Sequence, residues 1–431
     1  MAKTVTKRTA LWIAVATALV TALVSLLVIN FIGPEKKLQH VIERHYALED
    51  PRFMRELGVL LGPAFVDGNR LTHLQNGDEI FPAMLAAIRS ARTSISFETY
   101  IYWSGDIGQE FADALSERVR HGVKVNVLLD WVGSAKLDSR LVDEMNAAGV
   151  VIKKFHPPRW SHLGRLNNRT HRKLLIVDGR VAFTGGVGVA QQWTGDAQSP
   201  EHWRDSHFKI EGPAVAQMQA VFMDNWIKTT GVALLGPDYF PVLAPVGHSL
   251  AQVFSSSPTG GSESMALMYQ LAITAASRTI DLSASYFVPD EMTRLALLAA
   301  IRRGVRVRIV LPGEHMDSDT VQNASRANWG PLLQAGAVIA EYRPTMFHCK
   351  VMIVDGLLTS VGSTNFDNRS FRLNDEATLN IFDGAFAAAE TVIFERDLAL
   401  SRRVSYAEWQ ARPWHEKLVE RVTDALIGSQ L

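Results

Sequence analysis

Two stretches of the chain place the same reactive residues at the same spacing. His171-Arg172-Lys173 opens the run HRKLLIVDGRVAFTGG, which ends on Gly185-Gly186. His348-Cys349-Lys350 opens HCKVMIVDGLLTSVGS, which ends on Gly362-Ser363. Residues two apart on an extended chain face the same side, so each copy offers one imidazole and one ammonium on a shared face. Arg172 and Cys349 lie between them and face the other way, which makes Cys349 a packed side chain and not a nucleophile. Asp178-Gly179 and Asp355-Gly356 fit two-residue hairpin turns between apolar strands. The small residues that follow allow the end of the returning strand to approach another group closely.

Two imidazoles and two ammonium groups converging on one cleft form a cationic site capable of acid–base work, and a phosphodiester is its natural guest. One imidazole can attack phosphorus while the other protonates the departing alkoxide. The lysines stabilise charge developing on the equatorial oxygens. The scheme calls for no metal and no cofactor. With Cys349 as the one cysteine and no HExxH run, the sequence holds no zinc pattern and no intrachain disulfide. A lone His-x-Lys is usually surface decoration, and an Asp-Gly hairpin is commoner still. The paired copies are informative because folding alone does not require histidine and lysine at those positions.

The elements around the two motifs repeat as well. HGVKVNVLLD (His121–Asp130) precedes the first copy and RGVRVRIVLP (Arg303–Pro312) the second, each alternating with a period of two, as a strand does. Before them, Ile107, Phe111, Leu115 and Val119, and then Met292, Leu295, Leu298 and Ile301, mark apolar faces of helices that close at Gly122 and Gly304. Further back, AIRSARTSI (Ala87–Ile95) matches AITAASRTI (Ala272–Ile280). Alternating helices and strands in duplicate predict an α/β fold of two similar α/β/α domains related by a pseudo-two-fold axis. Such an axis would bring the two motifs to one seam. The expected organisation is an anchor at 1–40, a linker at 41–67, a first domain at 68–245, a second at 246–400 and a helical C-terminal extension at 401–431. The loop-like stretch SSSPTGGSES, Ser255–Ser264, lies near the join.

The chain has 431 residues, with 44 basic and 44 acidic side chains. This balance argues against a nucleic-acid partner bound through charge. From Leu11 to Gly33 there is no charged residue. As a helix that stretch is about 34 Å long, enough to cross a hydrocarbon layer of about 30 Å. It is longer than a signal-peptide core and lacks a small-x-small end, which favours an uncleaved transmembrane helix. Lys3, Lys7 and Arg8 before the span nearly balance Lys36, Lys37 and Arg44 after it. The free amino terminus tips the expected orientation to N-terminus inside and catalytic body outside, in a bacterial inner membrane.

These motifs resemble the HxKxxxxD signature of the phospholipase D superfamily, present once per half as His171, Lys173, Asp178 and His348, Lys350, Asp355. The downstream Gly-Ser-x-Asn element is matched by Gly362, Ser363 and Asn365, which the resemblance assigns to phosphate binding, whereas the first copy has Gly186 and Gly188 there. The resemblance also sets a carboxylate behind each histidine, and the candidates are Asp205 for His171 and Glu376 for His348. It implies His171 as nucleophile and His348 as acid and then base, with Asp178 and Asp355 holding the turns. GNRLTHLQNGDEIFPAMLAAIRSARTSISFETYIYWSGDIG (Gly68–Gly108), SASYFVPDE (Ser283–Glu291) and NFDNRSFRLNDE (Asn365–Glu376) narrow the resemblance to bacterial cardiolipin synthases. That implies transfer of a phosphatidyl group from a donor phospholipid to phosphatidylglycerol through a phosphohistidine, giving cardiolipin and a free alcohol.

A lipid substrate also fits the segment Lys153–Lys173, which mixes seven Lys and Arg residues with Trp160, Leu163 and Leu166, and so suits an anionic membrane surface. Its plainer reading is a solvated basic loop. Trp103, Trp131, Trp193 and Trp203 are candidate walls of an acyl channel or ordinary core residues. Two rival readings are a phospholipase D hydrolase or nuclease on the same scaffold, and a non-catalytic membrane protein that binds lipid. The sequence carries no signal for oligomeric state.

Overall fold

The alternating stretches before each motif become matching strands, Lys124–Asp130 and Arg306–Pro312, in the computed structural model of the chain. It describes residues 7–31, 38, 40–158, 167–258, 264–428 and 430. The first part runs α1 (Lys7–Phe31), α2 (Pro51–Leu61), β1 (Val66–Gln75), α3 (Asn76–Ser90), β2 (Ser94–Thr99), α4 (Asp106–Arg120), β3 (Lys124–Asp130), α5 (Ser139–Ala148), β4 (Val151–Phe155), β5 (Arg169–Thr170), β6 (Leu174–Val177), β7 (Val181–Gly185), β8 (Ser206–Glu211) and α6 (Ala214–Thr230). The second runs β9 (Ser249–Ser256), α7 (Met265–Ala275), β10 (Thr279–Ala284), β11 (Phe287–Val288), α8 (Glu291–Arg302), β12 (Arg306–Pro312), α9 (Asp319–Ala327), α10 (Trp329–Gln334), β13 (Val338–Tyr342), β14 (Lys350–Val354), β15 (Leu358–Gly362), β16 (Phe366–Asp367), α11 (Asn368–Arg372), β17 (Asn374–Phe382) and α12 (Gly384–Ala399). Then follow β18 (Ser401–Val404), α13 (Tyr406–Ala411) and α14 (Trp414–Ile427).

The duplication is visible in the strand order. One half reads β1-β8-β7-β6-β2-β3-β4 and the other β9-β17-β15-β14-β10-β12-β13, and the two join where β1 and β9 run antiparallel. In both halves the strands on either side of a helix crossover are parallel, β2 with β3 and β10 with β12. Helices α3, α4 and α5 cover the outer face of the first half, burying Phe81, Phe111 and Met145 against Ile95, Val125 and Leu175. Helices α7, α8 and α10 do the same for the second half. The inner faces share one apolar cluster, in which Phe222 and Trp226 of α6 and Phe394 of α12 pack with strand residues of both halves. A fully buried Phe contributes about 1.5–3 kcal/mol through the area it removes from water, so this cluster fixes the halves against each other.

Several expectations change in detail. Ile107, Phe111 and Leu115 are buried as the pattern required. On α8 Leu298 is buried as expected, but the buried face also takes in Thr293, Ala296, Leu297 and Ala300, with Met292, Leu295 and Ile301 at its margin, because small residues let α8 approach α7 closely. The stretch expected as a linker contains α2, where Asp50 caps the helix, Pro51 starts it, and Phe53, Leu57 and Leu61 join the core of the second half. Ser255 and Ser256 end strand β9, beside Ala377 and Glu376, and are not loop. The C-terminal extension opens as a strand, β18, that pairs with β13 before the helices begin. Helix α1 starts at Lys7 and is long and apolar enough to cross a membrane; Gly33 lies outside the described residues, as do Trp160, Leu163 and Leu166.

Candidate active site

Both Asp-Gly pairs take positive φ at both positions, +54° and +59° at Asp178-Gly179 and +54° and +63° at Asp355-Gly356. This is the backbone of a tight hairpin whose twist matches its strands. The Asp178 carboxylate accepts N–H bonds from Arg92, Thr93 and Ser94 at the start of β2. Asp355 accepts from Ser277, Arg278 and Thr279 at the start of β10. These aspartates therefore sit at the far end of β6 and β14 from the histidines. They aim the strands that carry His171, Lys173, His348 and Lys350, and they do not line the cleft.

At the other end, each motif crosses to the opposite half. β5 pairs in parallel with the start of β17, and His171 N–H donates to Asp375 O at 2.9 Å. In the equivalent place Phe347 bridges Arg204, and His348 N–H donates to Arg204 O at 2.8 Å. The crossing exchanges the carboxylates. His171 Nδ1 lies 2.9 Å from Glu376 Oε1, and His348 Nδ1 lies 2.7 Å from Asp205 Oδ2. The sequence pairing, Asp205 with His171 and Glu376 with His348, is thus reversed. Each carboxylate follows its own histidine along the chain, but its strand is laid against the other half's motif.

With Nδ1 engaged by a carboxylate, Nε2 is the ring nitrogen left to face a substrate, and at His348 Lys350 Nζ lies 3.2 Å from it. Burial pushes His171 down to about 4, against the pull of Glu376. Burial, with Lys350 alongside, pushes His348 down to about 3. Both shifts favour the neutral ring near pH 7, and a neutral ring has the lone pair that attack on phosphorus needs. Burial alone would raise the two carboxyls, but His348 holds Asp205 and His171 holds Glu376 below the usual range. Burial also lowers both lysines, Lys173 to about 7. Each senses the other lysine or the other half's carboxylate, as groups around one cleft do.

The two sides are not equivalent. Lys350 Nζ donates to Ser285 Oγ at 2.9 Å, and Ser285 Oγ donates to Asn365 Oδ1 at 2.6 Å, which leaves the Asn365 amide N–H groups for an anion. Each lysine donates to the carbonyl of its own histidine, Lys173 Nζ to His171 O at 2.9 Å and Lys350 Nζ to His348 O at 2.8 Å, but Lys173 lies over the Tyr100 ring where Lys350 meets Ser285. Ser363 Oγ donates to Glu376 Oε2 at 2.5 Å, steadying the carboxylate behind His171 and not touching the cleft. On the other side a Cβ at Gly186 would fall 2.1 Å from Asp205 Oδ1. The shorter aspartate needs that space, and Trp193 Nε1 supplies the missing donor at 2.9 Å. A Cβ at Gly188 would stand 2.9 Å from the Ile101 Cβ and 3.2 Å from the Trp193 ring, so the asparagine absent from this half has no room.

Several contributors had no local signature in the sequence. Trp193 and Trp203 pack on the His348 ring at centroid distances of 5.3 Å and 5.4 Å, so these two tryptophans are part of the site wall. Trp103 lies against Lys136, and Trp131 lies against Arg169, two residues before His171. Thr170, beside His171, donates to Glu98 Oε1 at 2.5 Å, and Asn225 donates to the same oxygen at 2.8 Å. Ser285 lies in the SASYFVPDE stretch, but only the fold brings it to Lys350. Arg172 is buried on the opposite face with Asp224 and Asp375, and burial pushes the Cys349 thiol up to about 12.

The duplicated sheet and the paired His-Lys cleft define a phospholipase D-type protein. The fold is shared with the crystal structure of a phosphatidylserine synthase from Haemophilus influenzae Rd KW20, at a TM-score of 0.65 and 13% identity over 89% of this chain and 100% of that one. Residues 84–226 and 270–398 match the family described as cardiolipin synthase, phospholipase D-like domain. A cardiolipin synthase of Geobacillus kaustophilus (strain HTA426) is 36% identical over 356 residues, covering 82% of this chain and 71% of its own. Cardiolipin synthase A of Pseudomonas fluorescens (strain SBW25) is 36% identical over 341 residues, covering 79% and 71%. The chain belongs to the cardiolipin synthase family.

Proposed function

We propose that the chain is a membrane phosphatidyltransferase that forms cardiolipin. The observation that carries this reading is the exchanged pairing of His171 with Glu376 and His348 with Asp205, with each histidine sensing the other half's lysine, which supports one shared cleft. His171 Nε2 attacks the phosphorus of a donor phospholipid. The bond from phosphorus to the headgroup oxygen breaks, and that oxygen leaves as an alcohol with a proton from His348. The negative charge of the bound diester favours the His348 imidazolium that burial disfavours. A hydroxyl of phosphatidylglycerol then gives its proton to His348 and attacks phosphorus, the phosphorus–nitrogen bond breaks, and His171 is restored. Lys173, Lys350 and the Asn365 amide hold the phosphoryl oxygens. Trp193 and Trp203 on the His348 ring keep bulk water from one side of the acid–base residue, which favours transfer over hydrolysis. Helix α1 holds the body to the membrane, with the N-terminus inside and the catalytic body outside.

The test is a lipid assay. The reconstituted protein is incubated with phosphatidylglycerol, alone and with phosphatidylethanolamine, and the products are read by mass spectrometry. Cardiolipin is expected. Phosphatidic acid in its place would mean a hydrolase, and no product would mean a binding protein. His171→Ala should abolish the acid-trapped phosphatidyl-enzyme, and His348→Ala should let it accumulate.

A further inference from the structure

Helix α14 is amphipathic the wrong way round for a soluble body. Its polar side faces the protein: buried Glu420 pairs with Arg412, and Asp424 accepts from Asn328 Nδ2 at 3.1 Å. Its apolar side faces out. Trp414, Leu418, Val422 and Leu426, spaced by four residues, form one stripe and are 75%, 52%, 46% and 73% exposed. A helix in water normally buries that stripe. We infer that α14 lies in the membrane interface, with this stripe among the acyl chains and the basic cleft beside it against anionic phospholipid headgroups.

Three observations choose a bilayer as the occupant. A cavity of 440 Å³ along the flank of α14 is lined by Trp409, Arg412, Lys417 and Arg421. Within it Arg412 has a buried Nη2 with no partner among the described residues. Apolar side chains with basic ones along the margin are the pattern of a helix lying on an anionic surface, and tryptophan at one end favours the headgroup level. Second, the C-terminal end of α14 touches the cleft's own segments. Asn368 Nδ2 donates to Gly428 O at 2.9 Å, and Asn167, four residues before His171, donates to Gln430 Oε1 at 2.9 Å. Docking here would set the cleft against the surface that holds its substrates. Third, α1 also carries unburied apolar side chains, among them Leu11, Trp12, Leu19 and Leu23, and it suits a membrane as well. This inference deepens the proposed function and rests on it for the choice of lipid.

The full chain in nanodiscs provides the test. Cys349 is buried, so a polarity-sensitive fluorophore on Leu426→Cys reports one site. In phosphatidylglycerol-containing discs its emission should shift to the blue and be quenched at least twofold by lipids spin-labelled in the acyl chain. Emission unchanged from that in water would overturn the inference. A blue shift without lipid quenching, in a protein that scatters light as a dimer, would assign the face to a second copy and overturn it as well. Leu418→Glu with Leu426→Glu should lower transfer from vesicles about tenfold and leave turnover of short-chain, monomeric phosphatidylglycerol unchanged; equal loss on both would argue against docking. The fluorescence reads docking even in a chain that makes no cardiolipin, so failure of this inference is distinct from failure of the proposed function.

Discussion

Glu376 reaches His171 and Asp205 reaches His348, so removing either carboxylate's charge should mark a different stage of the reaction. Glu376→Gln leaves the shape of the nucleophile's partner and removes its charge, and formation of the phosphatidyl-enzyme should slow on the order of a hundredfold or more. Asp205→Asn should instead leave an adduct that forms and is slow to resolve. Single-turnover experiments quenched with acid separate the two, and the opposite assignment of slow steps would restore the pairing read from the sequence. At this scale much of the site was legible. The His-Lys spacing sets a shared face by simple strand geometry. The carboxylates were found as residues but joined to the wrong rings, since nothing in a linear order distinguishes a strand laid on its own half from one laid on the other. Trp193 reads only as a candidate channel wall, and its place against His348, like that of Ser285 against Lys350, stays hidden because those partners are distant along the chain.

Elements show where the two copies have diverged beneath a common pattern. Gly179 and Gly356 occupy the same hairpin position with nearly the same φ. A Cβ at Gly356 meets nothing within 4 Å, whereas one at Gly179 would lie 2.4 Å from Tyr239 O. Gly356→Ala should therefore cost only the left-handed strain, about 1–2 kcal/mol. Gly179→Ala should cost clearly more, since the backbone of the segment after α6 must also move. Denaturant melts of the two variants in the same detergent check this, and equal losses would refute it. The repeat of helix and strand was readable because apolar periodicity is local. Helix α2 carried a cap, a proline start and apolar residues at helical spacing, yet its burial depends on a groove beside α7 that no local pattern announces. On α8 the apolar pattern found Leu298 but not Thr293 and Ala296, because close helix contact favours alanine and threonine over larger residues.

For the whole molecule, buried titratable groups tie stability to pH in opposing senses. His171 and His348 bind protons less readily folded than unfolded. Their contribution is complete above their ordinary value of 6.5 and falls away as pH drops toward about 4 and about 3. Glu98, pushed up by burial to about 7, acts the other way. It favours the folded state below its ordinary value of 4.5, and this contribution is lost as pH rises through about 7. Glu98→Gln should accordingly gain thermal stability relative to the parent as the buffer moves from about pH 5 to about pH 8. A parallel pair of melting curves across that range would show that Glu98 is already ionised in the folded protein. The charge balance of the chain, visible from its composition, gives no hint of these buried groups.

The exchange of carboxylates has a further consequence for ancestry. A chain containing one half alone would hold a histidine without its acidic partner, and an acidic residue with nothing to orient. It could complete a site only by meeting an identical copy through the same surface on both, about a two-fold axis. Joining the copies made that encounter permanent and freed each to change alone, and the unmatched surroundings of Lys173 and Lys350 record what a symmetric pair could never acquire.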